Sequence, residues 1–129
     1  MVDLSTGSRT VLSDDTTPDG IAPLDRPEWI AFDTANNRGF IADTTFDSIV
    51  VIDTTTGSRT ILSDATTPDS VNAFQQQESM AFDETNNRLL VIDSKLNAVV
   101  AVDPTTGVRT ILSDLNTDFS PRLTLILLL

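Results

Sequence analysis

The 129-residue sequence contains no cysteine and no histidine. That excludes thiol chemistry, thiolate or imidazole metal ligation, and any Ser-His-Asp or Cys-His machinery supplied by this chain alone. Only oxygen donors remain for a metal. Basic residues are scarce: eight Lys and Arg stand against nineteen Asp and Glu, for a formal net charge of -11. This balance disfavours a nucleic-acid backbone or an anionic lipid surface as partner, and suits a hard cation or simple solubility. Long apolar runs are also missing. The strongest, Leu123 to Leu129 broken by Thr124, falls far short of the roughly 20 residues that span a bilayer. The opening residues, Met1 to Ser5, show neither the basic nor the apolar segment of a secretory signal, and the compartment stays open. What is present is enough for one packed domain, with 40% hydrophobic residues.

The dominant feature is a repeat. The stretch Asp53-Thr-Thr-Thr-Gly-Ser-Arg-Thr-Ile-Leu-Ser-Asp64 recurs with few changes from Asp3 to Asp14 and from Asp103 to Asp114, at a spacing of 50 residues both times. A period of this size marks a supersecondary unit of a solenoid, propeller or array. Each unit holds four short apolar runs separated by turn residues, such as Asn86-Asn87 and Thr106-Gly107. These turns admit the left-handed conformation of tight hairpins, and an Asp at a strand end can bond the amides of the turn that follows.

The runs differ usefully. Leu89 to Ile92 and Ala98 to Val102 are apolar on both faces, so both faces of their sheet must be covered. The last run alternates, with Arg59, Ile61 and Ser63 on one face and Thr60 and Leu62 on the other, which predicts an outer strand with a polar edge. The first carries a small residue, Ala31 or Ala81, suited to a crowded inner strand. The expectation is an all-β chain of β-propeller blades, four-stranded antiparallel meanders amounting to about two and a half blades. Residues 1–13 would supply the last two strands of a partial blade, 14–63 and 64–113 two blades with their leading loops, and 114–129 a divergent apolar tail.

Two runs, Ala81-Phe-Asp-Glu-Thr-Asn-Asn-Arg-Leu-Leu-Val-Ile-Asp93 and Asn97-Ala-Val-Val-Ala-Val-Asp103, resemble NHL-type repeats and six-bladed propellers of the gluconolactonase and regucalcin type. Six blades of this period need about 300 residues. The resemblance therefore implies either a piece of a longer propeller or copies that assemble a ring, so that the partners are the missing blades or the chain itself. It also implies a channel face able to take a protein or small-molecule ligand. Such folds host lactonases and adhesion modules alike, and a binding scaffold is the favoured function, with a fragment of a divalent-metal-dependent lactonase-like hydrolase as the alternative.

The candidate metal residues are Asp15, Asp19, Glu28 and Glu78. Asp15-Thr-Thr-Pro-Asp19-Gly20 resembles the first half of a calcium loop, although Arg26 stands where a bidentate Glu belongs and the sister loop has Ala65 and Ser70. Glu28 and Glu78 precede the innermost strands, where the gluconolactonase resemblance implies a metal-binding Glu. The cation would be Ca²⁺ or another divalent ion. Against this stands the ordinary use of Asp and Asn in turns. Asp33, Asp53, Asp83 and Asp103 are expected to hold turns, Arg38 and Arg88 to form exposed pairs with Asp33 and Asp83, and Trp29 to pack in the core or between blades.

Overall fold

The computed structural model describes residues 1–116. Eight strands form two four-stranded antiparallel meanders. Sheet one contains β1 (Pro27–Asp33), β2 (Arg38–Asp43), β3 (Ser48–Asp53) and β4 (Arg59–Ser63); sheet two contains β5 (Gln77–Asp83), β6 (Arg88–Asp93), β7 (Ala98–Val102) and β8 (Arg109–Ser113). Turn chemistry sets these boundaries. The β1–β2 and β5–β6 turns close on Asn37 and Asn87, the β2–β3 and β6–β7 turns on Asp47 and Asn97, and the outer turns on Gly57 and Gly107, all at positive φ. Asp53 Oδ1 accepts from the amides of Thr55 and Thr56, and Asp103 Oδ1 from those of Thr105 and Thr106. At the other hairpins Asp33 and Asp83 accept from Asn36 and Asn86 and pair with Arg38 Nε at 2.8 Å and Arg88 Nε at 3.0 Å. The Asp33 carboxylate is almost wholly buried, so this pair is an internal feature rather than the exposed one its turn position suggests.

The core lies between the sheets. In the ladder, Ala31, Phe40 and Val51 share one face of sheet one, and Ile30, Ile41, Val50 and Ile61 share the other. The first face, with Ile49 and Leu62, packs on Met80, Phe82, Leu89, Val91, Val100, Val102 and Ile111 of sheet two. The Phe40 and Phe82 rings stack at 5.6 Å. Complete burial of each aliphatic side chain here contributes about 1.5–3 kcal/mol, so this one interface organises both sheets.

A polar clasp closes the outer rim of that interface. Arg109 is 4% exposed. Its guanidinium crosses from β8 to donate to Ser63 Oγ and to the carbonyls of Asp64, Thr67, Asp69 and Val71, and it lies over the Phe74 ring at 5.6 Å. Arg59, 3% exposed, does the same one repeat earlier, donating to Ser13 Oγ and to the carbonyls of Ile21 and Ala22. The alternation of the last strand suggests solvated arginines at a polar edge; both are instead buried, because the following blade turns that face inward onto the loop of the blade before. Leu62 is buried as well, on the face of sheet one that meets sheet two. Trp29, expected in the core or between blades, is 44% exposed, on β1, the innermost strand of sheet one. The apolar stretch Leu123 to Leu129, within the tail assigned to 114–129, lies outside the described residues.

Backbone packs directly on backbone at the seams. A Cβ on Gly107 would fall 2.0 Å from the carbonyl oxygen of Leu62, and one on Gly57 2.0 Å from that of Leu12, whereas one on Gly7 would meet nothing within 4 Å. Gly7→Ala is therefore expected to cost at most the left-handed penalty of about 1–2 kcal/mol, and Gly107→Ala about 3 kcal/mol or more, since a backbone must also move. Urea unfolding of the two variants checks this; equal losses would contradict the seam. A second expectation concerns acid. Hydrogen bonds from the Ser5 hydroxyl and the turn amides hold Asp3 down to about 2, turn amides lower Asp14, Asp53 and Asp103, and the Asn86 side chain and Arg88 lower Asp83. Carboxylates lowered by folding contribute stability above the unfolded value of about 4, and that contribution is lost as pH falls toward the folded values. The urea midpoint should hold from pH 7 to 5 and fall steadily from pH 4 to 2.

Candidate functional site

The loops leading into β1 and β5 meet the β2–β3 and β6–β7 turns at one end of the sheets, and two buried carboxylates join them. Asp43 Oδ2 accepts from the amides of Asp25 and Arg26, and its Oδ1 from those of Thr45 and Phe46. Asp93 repeats the pattern with Gln75, Gln76, Lys95 and Leu96. Both are 0% exposed. Each carboxylate is thus spent on four amides that would otherwise be unsatisfied, and it fixes two loops as one rigid surface. A carboxylate held this way has no lone pair to offer a cation from solution.

On that surface a groove of about 450 Å³ runs between the sheets, lined by Arg26, Glu28, Thr44 and Asp47 on one side and by Gln75, Gln76, Gln77, Glu78 and Lys95 on the other. It is almost wholly polar. Arg26 Nε pairs with Glu28 at 2.7 Å. On the opposite wall Glu78 Oε1 accepts from Gln76 Nε2 at 2.7 Å and Ser94 Oγ at 2.8 Å. The same repeat position therefore has an ion pair in one blade and a carboxylate held by neutral donors in the other, because Arg26 is replaced by Gln76. At the floor, Gln77 is 1% exposed; its Nε2 donates to Ser48 O across the blades at 3.3 Å, and its Oε1 is buried with no hydrogen-bond partner. Burial first, and then the Asp93 charge, raise the Asp47 carboxyl above its ordinary value, with Lys95 opposing.

The four sequence-predicted residues do not converge. Glu28 and Glu78 share the groove. Asp15 sits apart with Ser13, Asp14 and Leu24, and Asp19 Oδ1 accepts from the Ile21 amide as a turn residue. In the calcium-like loop it is Asp14, not Asp15, that organises the backbone, through Thr16 and Thr17. Among the described residues no three acidic side chains are grouped so as to hold a metal ion. Lys95 and Gln77 are the groove residues that sequence reading passes over. Their signal is faint, one the sole lysine and the other the third Gln of a polar run, and only the stacking of the blades brings both to the groove.

No protein-family model matches the chain, and no curated protein matches it. Among solved structures, it is similar to a chain in the crystal structure of a nidogen/laminin complex, with 20% identity and a TM-score of 0.56. The match covers 67% of this chain and 30% of that one, so the chain corresponds to less than a third of its neighbour's length. At this identity the likeness speaks for the fold alone. That fold is all-β, two antiparallel meanders packed as blades of a β-propeller, and no helix among the described residues is long and apolar enough to cross a membrane.

Removing the loop staple should be costly. Asp93→Ala leaves four amides without their acceptor and is expected to lower stability by about 3 kcal/mol, whereas exposed Asp15→Ala should stay within about 0.5 kcal/mol of the parent. Urea unfolding of both variants separates a structural from a spare carboxylate.

Proposed function

We propose that the chain is a β-propeller binding scaffold whose ligand, a protein segment or a small polar molecule, is taken by the inter-blade groove. Residues 14–63 and 64–113 are its blade units with their leading loops, and residues 1–13 part of a further blade. The observation that carries this reading is the groove's construction. Its walls are held rigid by Asp43 and Asp93, while Arg26, Asp47, Gln76 and Lys95 offer donors and acceptors of both signs in a small area. Preorganised polar groups of this kind give orientation and specificity at little entropic cost. The nidogen/laminin neighbour belongs to a protein complex, which accords with a protein ligand. The NHL-type and gluconolactonase-type resemblance belongs to the same reading as its finer form.

The alternative is a divalent-metal site of the lactonase-like kind. It draws on Glu28 and Glu78 facing one groove, with Asp47 as the third carboxylate lining it; Asp15 and Asp19 would form a separate loop site.

Titration of isotope-labelled protein with a panel of short peptides and polar small molecules, followed by amide shifts, tests the scaffold. Binders should perturb Thr44, Asp47, Gln76 and Lys95, and Gln76→Ala with Lys95→Ala should weaken them about tenfold or more, the loss of one to two charge-assisted hydrogen bonds. Binders mapping elsewhere would refute the groove. Calorimetric 1:1 uptake of Ca²⁺ abolished by Glu28→Gln would replace the scaffold with the metal reading.

A further inference from the structure

The core between the two sheets is one instance of a seam that the repeat writes three times. At the complete seam, the Leu62 face of sheet one receives the Phe82, Val91 and Val100 face of sheet two, with Gly107 on Leu62 O and Arg109 on Ser63 Oγ. One repeat earlier, sheet one presents the corresponding face, Phe32, Ile41 and Val50, with Gly57 on Leu12 O and Arg59 on Ser13 Oγ. There, however, only residues 1–14 and the loop through Ile21, Ala22 and Pro23 stand opposite. They fill the rim and leave the inner part open: Ile30, Phe32 and Ile61 are about half exposed, and an apolar cavity of about 390 Å³ is lined by Pro23, Phe46, Val50 and Ile61. Leu96, Val100 and Ile111, which occupy the places of Phe46, Val50 and Ile61, are packed in the core. At the far end, sheet two turns outward the face that in sheet one is covered. Ile92 and Leu112 are 49% and 45% exposed, while Ala42 and Leu62, which stand 50 residues earlier, are 0% and 8%.

The two bare faces are thus the two halves of a known seam. We propose that they dock on each other between copies of this chain, head to tail, with residues 2–14 acting as a removable plug. The sequence of the plug is the reason. Residues 2–14 match residues 102–114 except at Leu4, Ser5, Ser8 and Val11, so the outer strand of a second copy's sheet two fits the slot that residues 2–14 occupy and brings three inner strands with it. Both cannot sit there together. The resident hairpin is held more within itself than to sheet one: its arms are joined by backbone bonds between Met1 and Thr10 and between Asp3 and Ser8, residues 1–10 are exposed throughout, and Arg59 Nη2 remains buried without a partner, where Arg109 Nη2 reaches Asp69 O. Exchange covers both apolar faces, which favours association, and yields a heterologous contact that continues into a ring or chain. Assembly of this kind does not depend on what the polar groove binds.

Light scattering on the 129-residue chain across a concentration series tests this, with Phe32→Asp blocking one face and Ile92→Asp the other. Both positions are about half exposed, so each variant should fold, and urea unfolding checks that it does. The wild type should grow beyond a dimer with concentration. Each variant alone should be monomeric, and an equimolar mixture should form dimers, since one intact face of each kind remains. Ser13→Ala, which removes the plug's bond to Arg59, should shift association to about fivefold lower concentration, the worth of one net hydrogen bond. A wild type monomeric throughout, as when the Leu123 to Leu129 segment covers a face of its own chain, overturns the proposal. So does either variant associating alone, which marks a face-to-face dimer, or Ser13→Ala weakening association.

Discussion

The structure depends on a buried cation with no buried carboxylate beside it. The Arg109 guanidinium is satisfied mainly by the carbonyls of Asp64, Thr67, Asp69 and Val71, and its nearest carboxylate oxygen, on half-exposed Asp69, is 3.8 Å away. Burial lowers its pKa while Asp69 and Asp64 push it back up. An arginine suits this position because its planar donors reach several acceptors at once and its charge is effectively permanent. The loop of residues 64–71 curls around that group, and so the end of one blade is shaped by the outer strand of the next. Neither blade has this geometry alone.

From that constraint follow both the rigidity of the groove and the openness of the chain's ends. With the loops pinned at the rim by Arg109 and at the groove end by Asp93, the stretch between β4 and β5 has little freedom, and Gln76, Gln77 and Glu78 are delivered to the groove in fixed positions. Among the described residues the same design leaves each sheet with one partly exposed apolar face, Ile30, Phe32 and Ile61 on sheet one and Ile92 and Leu112 on sheet two. Apolar β surfaces of this sort associate when they find a complementary partner, and the repeat places equivalent positions on the two faces.

Much of the architecture is legible in the residues. The 50-residue period, the Asn, Asp and Gly turns and the strand-end aspartates appear in the structure as hairpins, left-handed residues and capped turns. The pairing of Arg38 with Asp33 follows from hairpin register. What misled was exposure. Arg59 and Arg109 occupy the polar positions of an alternating strand, yet the face they occupy is buried, because alternation shows that two faces differ without showing which is covered, or by what. Trp29 shows the converse: a large aromatic on the innermost strand is nearly half exposed.

The sequence by itself determined the unit: four short strands, their turns, and the recurrence of Arg, Gly and Leu at one spacing, since these are set by local backbone preference and by the period. Tertiary structure decided which of the acidic residues are available. Asp43 and Asp93 look no different in sequence from Asp15 or Asp47, but the first two are consumed by amides from a loop 17 or 18 residues away, while Glu28 and Glu78 come to one groove from different blades. Burial and hydrogen-bond supply are properties of the packed whole, and a carboxylate's role is set by them rather than by its neighbours in the chain.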